Sequence, residues 1–459
     1  MNQFLVKKLK ILLIAIRRYP QYVFLAYTLP CVVAFSILTP PMFAPDEGAH
    51  VMRAYSVSAL RLLPEGINER GRNAQSVPVD LVHVIGAHNS QRRSDGYFGW
   101  RATIDYPSAS WRSEDFGAMH NAEGYFPLFY VPQAVIVRLA WLFDISVIDT
   151  LRYGRLILGC LFAYFGYLAL RIACWGKAGL LILLCLPISV FLGTSFSPDA
   201  WLIASTALAF ALITRTKNTI NEIDKRAYLV SAYIIIAASA LRPTYMLMNS
   251  IWARNAFHKV GIQKFSLLFI GLTMALLWAL LVVAHPDRLA DGIDPQQQLA
   301  FLVDNPSAVF GIAWNTLSNF ATQPLRQIFI VTDHPNAYAG NQLTLFLSSV
   351  ILLIIMIDRR PVSIRNYWTW VIIGGAMLSY GLIYGAMYLA WTPIGSMGPV
   401  YGVQGRYFVP LLLMSLATIP SLPKIRLFLV AQPVISIFLI GYFFLLNFWT
   451  INKYFIMET

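Results

Sequence analysis

Long apolar runs separated by short polar stretches dominate the chain. The first covers 21–38 and follows Lys7, Lys8, Lys10, Arg17 and Arg18. Others lie near 153–171, 178–196, 200–214, 227–241, 244–257, 265–284, 341–357, 367–390, 406–420 and 427–449. A helix needs about 20 apolar residues to cross a bilayer, so several of these runs are short for a crossing. The first run is too long for a signal-peptide core and no small-residue cleavage site follows it, so it reads as a retained first span. The run 126–143 is apolar enough to cross but contains Pro127, Pro132 and Arg138.

Basic residues decide between the two placements of 126–143, because cytoplasmic loops carry an excess of Lys and Arg. If 126–143 crosses, the clusters Arg215/Lys217/Lys225/Arg226, Lys259/Lys264 and Arg359/Arg360/Arg365 all fall outside. If it lies along the outer membrane face, these clusters fall inside together with Arg171/Lys177 and Lys424/Arg426, and every Lys except Lys453 becomes cytoplasmic. The second arrangement is adopted. It predicts an all-α polytopic membrane protein, 1–459 forming a single transmembrane domain of about 11 helices, N-terminus in and C-terminus out. A large first external (periplasmic) loop, 41–152, then carries a short amphipathic helix at 46–60 and an interfacial helix at 126–143. Its middle, 75–106, is polar and turn-rich. A second external loop covers 285–340 with Pro286, Pro295, Pro306, Pro324 and Pro335, and a third covers 391–405.

Composition narrows the class. The 459 residues are 57% hydrophobic and 12% charged, against roughly 25% charged in a soluble domain. Half the usual charge cannot cover a water-soluble globule of this length. The net charge of +13 reports orientation rather than a nucleic-acid partner. The four cysteines form no C-x-x-C and suggest neither a disulfide framework nor a zinc site. His83, His88 and His120, with His334 near Asp333, read as surface residues without metal spacing.

The strongest local chemistry follows the first run: Pro45-Asp46-Glu47-Gly48-Ala49-His50, with Arg53 beyond. Asp46 and His50 are i and i+4 and share a helix face with Arg53. An N-cap role accounts for Asp46; it does not account for Glu47, His50 and Arg53 gathered at the membrane surface. Asp199, in Ser197-Pro198-Asp199-Ala200, is a second external carboxylate open to the same two readings. Arg242 and Arg406 stand alone at the external ends of runs, where a charge is costly and finds a partner. A lipid headgroup is one such partner; a phosphate that matches the planar guanidinium is another. Arg406 is flanked by Gln404 and Tyr407, and Gly402 and Gly405 permit close backbone approach.

These elements resemble a bacterial multi-pass family of formerly unknown function that is affiliated with the GT-C glycosyltransferases. The matching elements are Pro45-Asp46-Glu47-x-x-His50-x-x-Arg53-Ala54, Tyr125-Phe126-Pro127-Leu128-Phe129-Tyr130-Val131-Pro132, Ser197-Pro198-Asp199-Ala200 and Gly402-Val403-Gln404-Gly405-Arg406-Tyr407-Phe408-x-Pro410. The resemblance runs from about 30 to 420. It implies a GT-C-like fold and an inverting transfer of a sugar from a polyprenyl (undecaprenyl) phosphate donor to a glycan acceptor such as O-antigen. Asp46 and Glu47 are then the catalytic carboxylates, supported by His50 and Arg53. Asp199 becomes a second acidic, acceptor or metal position. Arg242, Arg406, Gln404 and Tyr407 would hold the donor phosphate. No cofactor is assigned, and the two carboxylates leave room for a divalent metal. The active site would face the external side of a bacterial inner membrane. A polysaccharide polymerase or ligase is the first alternative, but it would usually place its large loop late in the chain. A flippase or transporter is the second, and it would more often show broken spans in symmetric halves.

Overall fold

The computed structural model describes residues 18–63, 65–67, 73–94, 109–118, 122–215, 222–253, 256–280, 293–329, 340–358, 367–419 and 426–452. His120, Asp333, His334, Lys217, Arg359, Arg360, Arg365 and Lys424 lie outside the described residues. So does the 95–106 part of the polar middle.

Among the described residues, five helices are long and apolar enough to cross a membrane: Pro20–Leu38, Val147–Ile172, Gly261–Trp278, Tyr367–Trp391 and Ala431–Ile451. Their outward faces are apolar. Ile37, Phe269, Met274, Met377, Leu378, Phe438 and Leu445 are all well exposed. In Gly261–Trp278 only 11% of the apolar window is buried. Apolar rings and chains on this scale require lipid rather than water around them.

Five is fewer than the eleven spans expected, and proline accounts for much of the difference. The 178–196 run breaks at Pro187 into Lys177–Leu184 and Pro187–Gly193. After Arg242-Pro243 the chain forms a 3-10 helix, Pro243–Asn249, and a single turn, Ser250–Ala253, instead of the expected 244–257 span. The 406–420 run supplies only Phe408–Ser415 after a 3-10 turn. Proline removes a backbone donor and clashes with the preceding turn, so these apolar runs become short buried pieces.

The helices pack closely where glycine allows it. Gly159 and Gly166 of Val147–Ile172 face Val32 and Phe24 of Pro20–Leu38. A Cβ at either position would come within 2.6 or 2.4 Å of those side chains. Small residues at such positions let two helices approach without a hydrophobic driving force in lipid.

The segment between Leu38 and Val147 is not purely helical, which corrects the all-α expectation. It contains helix Glu47–Ser58, then a three-stranded antiparallel sheet, β1 (Gly66–Ile67), β2 (Asn73–Pro78) and β3 (Glu114–Ala118), in the order β1-β2-β3. Gly66 pairs with Ala74, and Ser76 with Phe116. Helix Val79–Ser94 follows β2. The Tyr55 hydroxyl donates to Glu114 of β3, and Arg61 bridges Glu114 (2.8 Å) and Glu65 (3.0 Å), so the sheet is fastened to the end of the Glu47–Ser58 helix. The 126–143 run forms a 3-10 turn, Pro127–Tyr130, and a 12-residue helix, Val131–Leu142. That helix is about 18 Å long, too short to cross and suited to an interfacial position.

The proline-rich 285–340 segment also carries more helix than its composition suggests. Pro295–Asp304, Ala308–Phe320 and Gln323–Phe329 are helical. Pro295 sits in a first turn, where its missing N–H costs nothing. These helices hold the 391–405 loop. The Gly395 N–H donates to Gln298, Val400 N–H to Thr316 and Gly405 N–H to Gln327, the last at 2.7 Å.

Candidate active site

Asp46 and Asp199, far apart in the chain, converge on one guanidinium. Arg406 donates from Nη2 to Asp46 Oδ2 at 2.5 Å and from Nη1 to the Pro45 carbonyl at 3.2 Å. Its Nε lies 3.4 Å from Asp199 Oδ2. Asp199 is bound from its other oxygen by Arg242 Nη2, again at 2.5 Å. The two carboxylates and two guanidiniums therefore alternate in a chain: Asp46, Arg406, Asp199, Arg242. The cation between the carboxylates is Arg406, and the donor set does not call for a metal ion there. Among the described residues no group of three or more His, Cys, Asp or Glu side chains is arranged to hold one.

Helix termini and tight turns deliver these groups. Asp46 precedes helix Glu47–Ser58, but it is not the side-chain cap that the sequence allowed. Its φ is 56°, left-handed, and its carboxylate makes no cap hydrogen bond. Aspartate tolerates that region better than most residues. Asp199 begins helix Asp199–Arg215. Arg242 lies between helix Glu222–Leu241 and the 3-10 turn that Pro243 starts. Arg406 rides on the turn after Gly405, where no other residue fits: a Cβ there would lie 2.2 Å from the Pro324 carbonyl oxygen. This is the close backbone approach expected of that glycine.

The pairs differ in burial. The Asp199 side chain is 1% exposed, Arg406 3% and Arg242 11%, whereas the Asp46 side chain is 52% exposed. Asp46 is the member of the group that water and a solute can reach.

Aromatic rings line the cluster. Tyr407 lies beneath both guanidiniums, with its centroid 4.3 Å from Cζ of Arg242 and 5.4 Å from that of Arg406. Such contacts stabilise a desolvated cation. Tyr407 thus serves the arginines through its ring, and its carbonyl accepts from the Tyr245 hydroxyl. Tyr125 lies 5.8 Å from Arg242. Burial pushes its phenol up to about 12, partly offset by Arg242.

His50, 2% exposed, pairs its Nδ1 with the Tyr130 hydroxyl at 2.8 Å. Burial lowers its pKa to about 4; Asp46 opposes this and Arg406 adds to it. The ring is therefore neutral at pH 7. Tyr130, in the 125–132 element, keeps its phenol protonated because burial raises it well above its ordinary value. Gln133, just beyond, donates to the Ser197 carbonyl at 3.2 Å and ties this element to the Asp199 turn.

Three residues from the sequence motifs stand apart from the ion cluster. Glu47 is 1% exposed and bound at both oxygens by Arg155, with Nε to Oε1 at 3.0 Å and Nη2 to Oε2. Arg155 also donates to the carbonyls of Thr39 (2.6 Å) and Pro40 (2.9 Å). Glu47 thus pins the turn after Pro20–Leu38 to Val147–Ile172. Arg53, fully buried, donates to the carbonyls of Leu62 (2.9 Å) and Tyr125 (3.0 Å) and holds the two loop segments together. Gln404 is half-buried, and its backbone carbonyl accepts from Tyr407.

Sequence reasoning missed Arg155 and Gln327, and named Tyr130 only within the 125–132 element. Arg155 gave a signal, as a charge inside an apolar run. Gln327 gave none, because a glutamine in a proline-rich stretch is unremarkable by type. His88, expected at the surface, is 5% exposed.

No curated protein and no solved structure matches the chain. The profile of one family, described as "Predicted membrane protein (DUF2142)", matches residues 29–415, a stretch that includes Asp46, Asp199, Arg242 and Arg406. The chain belongs to that membrane protein family.

Proposed function

We propose that the protein is a GT-C type inverting glycosyltransferase, a hexosyltransferase. It moves a sugar from a polyprenyl (undecaprenyl) phosphate to a cell-surface glycan such as O-antigen, on the external face of a bacterial inner membrane. The reading includes about 11 crossings, some by short or broken helices, with a cytoplasmic N-terminus. The observation that carries it is the half-exposed Asp46 carboxylate on the buried Arg406, with Arg242 alongside, in a chain with five helices long and apolar enough to cross a bilayer. Basic residues support the orientation. Arg18, Arg171, Lys177 and Arg215 all lie at the helix ends away from this cluster.

In this mechanism the isoprenoid lies in the bilayer and its phosphosugar reaches the cluster. The acceptor hydroxyl oxygen attacks C1 of the sugar from the face opposite the phosphate. The C1–O bond to phosphate breaks, its electron pair leaves with the polyprenyl phosphate, and the configuration at C1 inverts. The acceptor proton passes to Asp46. Arg242 and Arg406 stabilise the charge that develops on the leaving phosphate. Asp46 is the base in preference to Glu47, because both Glu47 oxygens are held by Arg155 and the side chain is buried.

The test is transfer of labelled sugar from undecaprenyl phosphate sugar to purified acceptor glycan. Asp46→Asn is expected to lower the rate about 10²–10⁴-fold, and Arg406→Ala about 10²–10³-fold. Full activity of Asp46→Asn would end the mechanism. Transfer from a nucleotide sugar alone would end the donor assignment.

A further inference from the structure

We propose that Asp46 is a resident stand-in for the ligand's phosphate: a membrane-anchored phosphodiester displaces its carboxylate from Arg406, and His50 Nε2–H and Arg242 Nε–H complete the cradle. This rests on the donor reading above and adds an exchange step to it.

Three observations carry the proposal. The first is the asymmetry of the Asp46–Arg406 pair. Arg406 is 3% exposed and fixed by the Pro45 carbonyl and the Gly405 turn, while Asp46 is 52% exposed. Asp46 is also left-handed at its backbone and uncapped. Of the two partners, the carboxylate is the one that solvent reaches.

The second is a set of buried donors without acceptors. Among the described residues, His50 Nε2, Arg242 Nε and Arg406 Nε are each buried and make no hydrogen bond. The Arg406 Nε contact with Asp199 at 3.4 Å lacks hydrogen-bond alignment. A buried polar group with no partner is a standing cost that a ligand can remove. We assign the tautomer in which Nδ1 accepts from the Tyr130 hydroxyl, so that the neutral His50 ring carries its proton on Nε2 and is a donor there. Asp199 Oδ2 is the one unpartnered buried acceptor of the cluster, and three donors against it favour an oxyanion.

The third is charge. Asp46, Asp199, Arg242 and Arg406 sum to zero. Once Asp46 swings into water, Asp199 and the two arginines leave a charge of +1. A phosphodiester monoanion neutralises it, and a polyprenyl phosphate sugar is such a monoanion. The displaced carboxylate is at the same moment released from its cation and available to the acceptor hydroxyl. After transfer, Asp46 loses its proton to water, returns to Arg406 and competes with the product phosphate.

The test measures calorimetric binding of methyl farnesyl phosphate, a phosphodiester monoanion, to the full-length protein in detergent. Removing the competing carboxylate tightens binding. Asp46→Asn and Asp46→Ala are each expected to bind roughly two- to fivefold more tightly, the scale of one partly exposed ion pair. His50→Phe and Arg242→Ala are expected to bind more weakly. Dimethyl phosphate, which lacks the chain, should bind far more weakly than the farnesyl ester; equal binding would overturn the membrane-anchored ligand. Unchanged or weaker binding by both Asp46 variants overturns the displacement, even if sugar transfer is observed. Tighter binding by both variants with no sugar transfer by the wild type leaves the exchange standing and sinks the transferase reading. No binding to the wild type sinks the exchange and the donor assignment together.

Discussion

Glu47 and Arg155 form a two-point ion pair whose side chains are 0% and 1% exposed. Adjacent in sequence, Asp46 and Glu47 therefore belong to different structures: one carboxylate opens to solvent and the other is sealed against a transmembrane-length helix. Glu47→Gln leaves a buried guanidinium facing a neutral amide, which costs about 3–5 kcal/mol. The expected result is a clear fall in the thermal unfolding midpoint of the purified protein. The double variant Glu47→Gln/Arg155→Met should recover much of that loss. An unchanged midpoint for Glu47→Gln would refute the structural role.

Asp199 and Asp46 should separate in the same assay. Asp199→Asn leaves Arg242 and Arg406 as two neighbouring buried cations, both paired with it in the native protein. Its cost is about 3–5 kcal/mol. Asp46→Asn removes a half-exposed partner and costs about 1 kcal/mol or less. Sugar transfer should fall in both, but only Asp199→Asn should lower yield and unfolding temperature substantially.

Gly405→Ala tests how tightly Arg406 is placed. The new Cβ meets the Pro324 carbonyl oxygen at 2.2 Å and the Ile328 nitrogen at 3.0 Å. Backbone atoms on two sides cannot step aside as a flexible side chain could, so the turn itself must move. The expected cost is about 1–3 kcal/mol, together with loss of transfer. Gly441→Ala, with nothing near its Cβ, is the control. Equal unfolding midpoints for the two variants would refute the close approach.

His50 sets an acid limit. Its folded pKa of about 4 lies below the unfolded value of about 6.5. Between these values the unfolded chain binds more protons than the folded one. His50 thus contributes its full stability above pH 6.5 and loses it as the pH falls toward 4. The expected loss is on the order of 1–3 kcal/mol. His50→Gln, which cannot titrate, should show a flatter dependence of unfolding temperature across this window. Parallel curves for wild type and variant would exclude a buried neutral His50.

Much of the site was legible residue by residue. Asp46, Asp199, Arg242 and Arg406 each stood out as a charge at the edge of an apolar run, because the bilayer makes such charges expensive. Their meeting was not legible, since it depends on how helices pack and not on spacing along the chain. The sheet was missed for a local reason: Asn73–Pro78 and Glu114–Ala118 carry Asn, Gln, Glu, Asp, Gly and Pro, which are poor strand formers. The number of crossings was not legible in the runs alone, because apolarity marks burial as well as crossing. Lys177–Leu184 and Phe408–Ser415 are apolar because protein surrounds them.

The Asp46–Arg406 pair also sets an order of assembly. Asp46 enters the membrane early, with the first helix, and Glu47 can be secured as soon as Val147–Ile172 has arrived. Arg406 comes only after Tyr367–Trp391. A nascent chain is thus braced early at its first turn, yet its ion cluster is incomplete until nearly all the helices have been inserted. Insertion intermediates hold Asp46 without its cation, and under the proposed function they would lack the phosphate site. Biogenesis itself keeps the half-built protein silent.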